Sequence, residues 1–154
     1  KEEKEPFIGT AIWYYEDGSK RSETPYVDGK RHGREIDYNK DGSKKREMPW
    51  VDGKQHGKEI LYLKDFIPKT NQFVHGTGTQ VWYYEGGSVY LVRPYLDGKK
   101  HGKEIIYRED GSKASETPFF NDKRHGTAIW FRNDGSKYRE IVYENGTKIS
   151  EKRF

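Results

Sequence analysis

The sequence contains no cysteine, which excludes disulfides and thiolate chemistry and leaves the redox compartment open. No run of apolar residues approaches the roughly 20 needed for a membrane-spanning helix. Only 31% of the 154 residues are hydrophobic while 35% are charged, so there is little material for a thick globular core. The net charge of +4 is the difference of 29 basic and 25 acidic residues that interleave. With no basic block present, neither strong capture of a polyanion nor specific nucleic-acid binding is expected. Also lacking are a glycine-rich phosphate loop ahead of a helix and a Gly-x-Ser-x-Gly nucleophile elbow. The opening residue, Lys1, is read as the product of trimming or of removal of a targeting segment.

What is abundant is aromatic residues, at 15%, and repetition. Asp28-Gly29-Lys30-Arg31-His32-Gly33 returns as Asp52 to Gly57, as Asp97 to Gly102 and, altered, as Asn121 to Gly126. Anchor glycines at 9, 33, 57, 78, 102 and 126 are spaced by 24, 24, 21, 24 and 24 residues. A very polar, aromatic-rich chain with this period predicts an all-β fold: an elongated single-sheet solenoid of six antiparallel β-hairpin repeats, each burying its few large side chains against its neighbours.

Within a repeat, the run Thr10-Ala11-Ile12-Trp13-Tyr14-Tyr15 reads as a strand, Asp17-Gly18 as a type I′ hairpin turn, and Glu23 to Val27 as the returning strand. Three residues past each anchor stand Ile12, Ile36, Ile60, Val81, Ile105 and Ile129. Five past it stand Tyr14, Tyr38, Tyr62, Tyr83, Tyr107 and Phe131. The two positions share one face, which is expected to be the buried one. Pro25, Pro49, Pro94 and Pro118 precede the second-strand aromatics and mark strand starts or bulges.

Anchors 9, 33 and 57 map onto 78, 102 and 126 with a constant offset of 69, so the chain reads as a duplicated three-repeat block. The expected organisation is a charged lead-in over 1–8, repeats 1–3 over 9–62, an irregular connector over 63–77, and repeats 4–6 over 78–154 with a C-terminal cap. The cap keeps the turn at Asn145-Gly146 but loses the His-Gly that follows elsewhere.

The string from Tyr38 to Gly57, with its Asp-Gly-Ser-Lys, Glu47, Pro49-Trp50 and Asp52-Gly53-Lys54-Gln55-His56-Gly57, resembles the MORN repeat, and more closely its bacterial variant found in antitoxin-like proteins. The resemblance implies a β-hairpin scaffold for proteins. The lipid binding often proposed for ordinary MORN units carries over weakly, because Pro-aromatic stands here in place of their Glu-Trp pair.

Neither histidines nor carboxylates point to catalysis. His32, His56, His101 and His125 recur one per repeat, roughly 9 to 10 Å apart in such a sheet, too far for neighbours to share an ion. Each is expected to donate to a nearby carbonyl at a turn, and His75 has no obvious partner. Glu23, Glu47, Glu116 and Glu140 recur in the same way and read as ladder elements. No catalytic residue, metal or cofactor is therefore expected.

The expected function is a non-enzymatic protein-interaction scaffold. The alternatives are a carbohydrate or cell-wall binder and contact with a lipid surface. Four and six residues past the anchors, on the face opposite the isoleucines, Trp13, Tyr15, Trp82, Tyr84 and Trp130 alternate with the polar Asp37 and Asn39. These five aromatics are the candidate anchors for a protein partner or a second copy of this chain. Limited proteolysis is expected to cut first within 63–77; first cuts inside either regular block would contradict the assigned organisation.

Overall fold

The computed structural model describes residues 7–63 and 68–154. Residues 1–6 of the expected lead-in and 64–67 of the expected connector lie outside the described residues. Every regular element is a β-strand. The chain divides into two compact units, Lys1–Gly76 and Thr77–Phe154.

The first unit holds β1 (Gly9–Tyr14), β2 (Lys20–Val27), β3 (Lys30–Arg31), β4 (Gly33–Tyr38), β5 (Lys44–Val51), β6 (Lys54–Gln55), β7 (Gly57–Leu61) and β8 (Lys69–Val74). It is an antiparallel meander. β1 pairs with β2, β2 with β3 and β4, β4 with β5, β5 with β6 and β7, and β7 with β8. The second unit holds β9 (Thr77–Tyr83), β10 (Val89–Leu96), β11 (Lys99–Lys100), β12 (Gly102–Tyr107), β13 (Lys113–Phe120), β14 (Lys123–Arg124), β15 (Gly126–Phe131), β16 (Lys137–Glu144) and β17 (Thr147–Arg153). Its pairing follows the same scheme, from β9 with β10 through to β16 with β17.

The Asp-Gly pairs make two kinds of turn, not one. At Asp28-Gly29 both residues have positive φ, 50° and 71°, the type I′ geometry. At Asp17-Gly18 only the glycine does, at 81°, so the expectation of a type I′ turn there is corrected. The reason is the following serine. The Asp17 carboxylate accepts from Ser19 N–H at 3.0 Å and from its hydroxyl at 2.5 Å, while Tyr15 N–H bonds Ser19 O at 2.9 Å. This closes a longer loop in which the glycine alone is left-handed. Asp41-Gly42-Ser43 and Asp134-Gly135-Ser136 repeat it. A register shift follows each such loop, leaving one extra residue on the returning strand.

The prolines explain the His-Gly pairs. β2 registers Tyr26 with Arg31 and then Glu23 with Ile36, so the partner edge carries extra residues around His32-Gly33. Across this bulge His32 N–H bonds Pro25 O at 3.0 Å. Gly33 there has φ 103°, and a Cβ on it would lie 3.0 Å from the Pro25 ring. Gly57 under Pro49, Gly102 under Pro94 and Gly126 under Pro118 are the same, with φ of 102° to 109° and gaps of 3.0 to 3.1 Å. A proline lacks the N–H that a regular ladder would use, and the bulge leaves room for its ring. Where Gln72 or Val142 replaces the proline, no His-Gly stands at the bulge position: Thr77-Gly78 takes that place after Gln72, and His75-Gly76 lies in the turn.

The expected irregular connector is mostly regular. β8 pairs with β7 from Gly57 with Phe73 to Leu61 with Lys69, without a register shift. His75-Gly76, with φ of 48° and 83°, makes the turn that Asp-Gly makes elsewhere. The three residues missing from this repeat are one from the hairpin and two from the bulge that its absent proline would have required.

The expected buried face is also corrected. Ile12 and Tyr14 are 42% and 59% exposed, and their counterparts in later repeats are half-buried. The buried apolar side chains Met48, Leu61 and Phe73 of the first unit lie on the face of Trp13, and Leu91, Ala128 and Ile141 of the second lie on the faces of Trp82 and Trp130. The isoleucine face cannot be sealed because each hairpin strand opposite Ile12, Ile36, Ile105 and Ile129 places a glutamate there. The tryptophan face instead carries a central line of small, apolar or paired side chains. Glu59 is fully buried on it, accepting from Asn71 Nδ2 at 2.6 Å with Arg46 Nη1 at 3.6 Å.

Replacing Gly57 with alanine is expected to destabilise the protein by about 1 to 3 kcal/mol, because the substitution strains φ and presses Cβ on Pro49. Pro49→Ala should restore only part of that loss in the double variant. Urea unfolding of the variants measures it, and an unchanged midpoint for Gly57→Ala would contradict the seat described.

Candidate functional site

The five candidate aromatics fall into three structural kinds. Tyr15 and Tyr84 are rungs between repeats. Their hydroxyls donate to the Tyr38 and Tyr107 carbonyls at 2.8 and 2.9 Å. In other repeats the same place is held by Arg108, which donates to Phe131 O, and by Arg132, which donates to Phe154 O at 2.5 Å. A long side chain with a terminal donor can reach across in four repeats, tyrosine and arginine exchanging there, while Asn39 in the second repeat bonds Ser43 within its own loop. Tyr15 and Tyr84 thus have a structural use between repeats, as Arg108 and Arg132 do.

Trp82 and Trp130 are half-buried. Trp82 stands opposite Leu91, and Trp130 opposite Arg139, whose guanidinium lies 5.2 Å from its ring centroid. Within the second unit, β10, β12 and β13 separate them, so they form no single patch. Trp13, in the first unit, is different: 62% of it is exposed, opposite the small Ser22. Its neighbours Ile12 and Tyr14 are exposed on the other face of the same strand.

The histidines act as acceptors, which reverses the expected direction. His32 Nδ1 lies 3.5 Å from the Asp52 N–H, His56 Nδ1 3.1 Å from that of His75, and His125 Nδ1 3.3 Å from that of Asn145. Each imidazole thereby ties one repeat to the next turn, with its own hydrogen on Nε2. His75 does have a partner, since its ring packs on that of His56 with centroids 4.6 Å apart. His101 packs instead on Phe120 at 4.9 Å. Among the described residues no group of three or more His, Asp or Glu is placed to hold a metal ion.

The glutamate register is a set of ladder ion pairs. Lys20, Lys44, Lys113 and Lys137 reach Glu23, Glu47, Glu116 and Glu140 at 3.0, 2.7, 2.9 and 2.8 Å. The tyrosine of the next repeat joins twice, Tyr38 donating to Glu23 at 2.7 Å and Tyr62 to Glu47 at 2.8 Å. The bond to Glu23 pushes the Tyr38 phenol up to about 12. A depression lined by Tyr15, Arg21, Asp37, Tyr38 and Lys45 encloses about 130 Å³, well below the roughly 300 Å³ at which small-molecule pockets begin. Sequence reasoning missed Arg46, which joins Asp37 at 2.9 Å and Glu35 at 3.0 Å. Its only signal was the acidic residues standing opposite and diagonal to it on the neighbouring strand.

Glu47 yields a pH dependence. The hydrogen bond from Lys44, aided by those from Tyr62 and Arg34 and opposed by burial, holds its carboxyl down from 4.5 to about 2. A depressed carboxyl stabilises the fold above its unfolded value, and that contribution disappears as the pH falls from about 4.5 through about 2. The shift sets an upper bound of about 3 kcal/mol. Urea unfolding between pH 6 and 2.5 should show a shallower acid limb in Glu47→Gln than in the wild type. Parallel acid limbs would contradict the assignment.

No curated protein matches the chain. Residues 8–28 match the family model described as the MORN repeat variant. That span is the first hairpin, β1 with β2, ending at the type I′ turn. The same hairpin, with the same turns and bulges, recurs through both units. The hairpin from which the array is built is thus similar to a MORN repeat.

Proposed function

We propose that this protein is a non-enzymatic scaffold that binds another protein. The observation that carries the reading is the contrast between Trp13 and its equivalents. A large aromatic 62% exposed on a sheet face stands where Trp82 and Trp130 are half-covered, and such exposed aromatics serve as interface anchors. The titratable side chains that would suggest catalysis are engaged in ladder pairs between and within repeats, which supports a structural use for them. Resemblance to the repeats of antitoxin-like proteins makes a protein toxin the first class of partner to try.

The test compares the wild type with Trp13→Ser in capture from lysate, alongside a glycan array and phosphatidylserine vesicles. One or more proteins should be retained reproducibly by the wild type and at least tenfold less by Trp13→Ser, with unchanged circular dichroism. Retention of glycans or vesicles with no protein bound would overturn the scaffold reading. Equal capture by both proteins would remove Trp13 from it.

A further inference from the structure

Among the described residues β1 registers only with β2, and β17 only with β16. β1 shares Gly-Thr-Ala-Ile-Trp with β15: Gly9 to Trp13 matches Gly126 to Trp130. The two strands differ in surroundings. β15 lies between β13 and β16, with Ala128 fully buried and Ile129, Trp130 and Phe131 half-buried. On β1 the residues Ile12, Trp13 and Tyr14 are 42%, 62% and 59% exposed. β1 therefore has the composition of an interior strand, and among the described residues its outer edge is unpaired, with no charged side chain of its own to guard it.

β15 shows what such a strand pairs with. Ser115 and Glu116 of β13 stand opposite Trp130 and Ile129. They belong to Lys113-Ala114-Ser115-Glu116, in which Ala114 is the extra residue of the register shift and Lys113 reaches Glu116. β2 repeats the arrangement with Lys20-Arg21-Ser22-Glu23, which faces Asp37 and Ile36 of β4. Lys20 and Lys113 also each lie 5.6 Å from the ring centroid of Tyr38 and Phe131 on the strand they face.

β17 carries the same unit, unused. Lys148-Ile149-Ser150-Glu151 has its register shift at Ile149, and Lys148 reaches Glu151 as the other lysines reach their glutamates. The backbone parity agrees. Phe154 N–H bonds Tyr138 O at 3.0 Å, so along β17 Lys152 and Ser150 also turn inward while Glu151 and Arg153 turn to the open edge. Tyr15 N–H bonds Ser19 O at 2.9 Å, so on β1 Trp13 turns toward β2 while Ile12 and Thr10 turn outward.

We propose that β17 of one copy of this chain pairs antiparallel with β1 of another, Ser150 opposite Trp13 and Glu151 opposite Ile12, so that copies add head to tail. Tyr14 then donates to Glu151 as Tyr38 does to Glu23, and Lys148 covers the Tyr14 ring as Lys20 covers that of Tyr38. Glu151 lies on the face of Ile141, whereas Glu116 lies on the face of Ile129, so the sheet turns over at each junction. Because the two edges differ, the contact is heterologous, and copies add head to tail into a ring or an open filament. The contact does not rest on the scaffold reading, although both use β1: it is read from the mass of the chain alone, with no other protein present.

Sedimentation equilibrium of the 154-residue chain tests it. The weight-average mass should rise with concentration above the 18.2 kDa of one chain. Ile12→Pro blocks the outward N–H of β1, and Arg153→Pro blocks that of β17, each leaving its inward ladder intact. Each variant alone should remain at 18.2 kDa; mixed, they should form a 1:1 dimer and stop, since one keeps a working β17 and the other a working β1. Tyr14→Phe, which leaves the backbone untouched, should weaken association about tenfold. A wild type that stays monomeric, an Arg153→Pro variant that dimerises by itself through β1, or a Tyr14→Phe variant of undiminished association would each overturn the proposal.

Discussion

The contact on which this fold depends is a proline ring seated on a glycine of the next strand. Pro25 over Gly33, Pro49 over Gly57, Pro94 over Gly102 and Pro118 over Gly126 sit so close that a Cβ on the glycine would lie 3.0 to 3.1 Å from the ring, inside ordinary contact. Each proline breaks a regular ladder by lacking an N–H. Each following His-Gly repairs the break with a bulge, in which the histidine amide reaches the proline carbonyl at 3.0 to 3.1 Å. Proline, histidine and a left-handed glycine in neighbouring strands thus form one device: where Gln72 replaces the proline, the histidine is gone and the anchor Gly78 has no positive φ.

The bulge also sets the histidine ring under the next turn, where Nδ1 of His32, His56 and His125 accepts the turn's amide. Cross-repeat donors at the other end of the strands, Tyr15, Tyr84, Arg108 and Arg132, bind carbonyls one repeat on. Between these two rows run the lysine, glutamate and tyrosine contacts of the isoleucine face. A sheet with so few apolar residues is held largely by polar contacts, ion pairs within hairpins and rungs between adjacent repeats. This is the nearest-neighbour logic of repeat proteins, and it accounts for a chain that is a third charged yet whose described elements are all strands.

The repeat period, the strands and the second turns were legible because each rests on local chemistry: Asp-Gly with positive φ, and β-branched and aromatic runs. The first turn was misjudged because Asp17-Gly18 reads the same as Asp28-Gly29 until Ser19 is counted as the ligand of the aspartate. The buried face was misjudged because Ile12 and Tyr14 look like core, and only the strand register reveals that Glu23 shares their face. Residues 69–76 looked irregular because His75-Gly76 is not a familiar turn pair, and because the absent proline removed its bulge as well. Among the candidate anchors, Tyr15 and Tyr84 could have been recognised as rungs from their exchange with Arg108 and Arg132. The exposure of Trp13 depends on which strands flank β1, and no single repeat carries that information.

The most direct test of the proline seat is amide hydrogen exchange on the folded protein. The amides of His32, His56, His101 and His125 follow no regular ladder, yet each is bonded to a proline carbonyl. The account predicts that they exchange as slowly as the amide of Ile36, which lies in the flanking ladder. Exchange of these four at the rate of freely exposed loop amides, with Ile36 still protected, would contradict it.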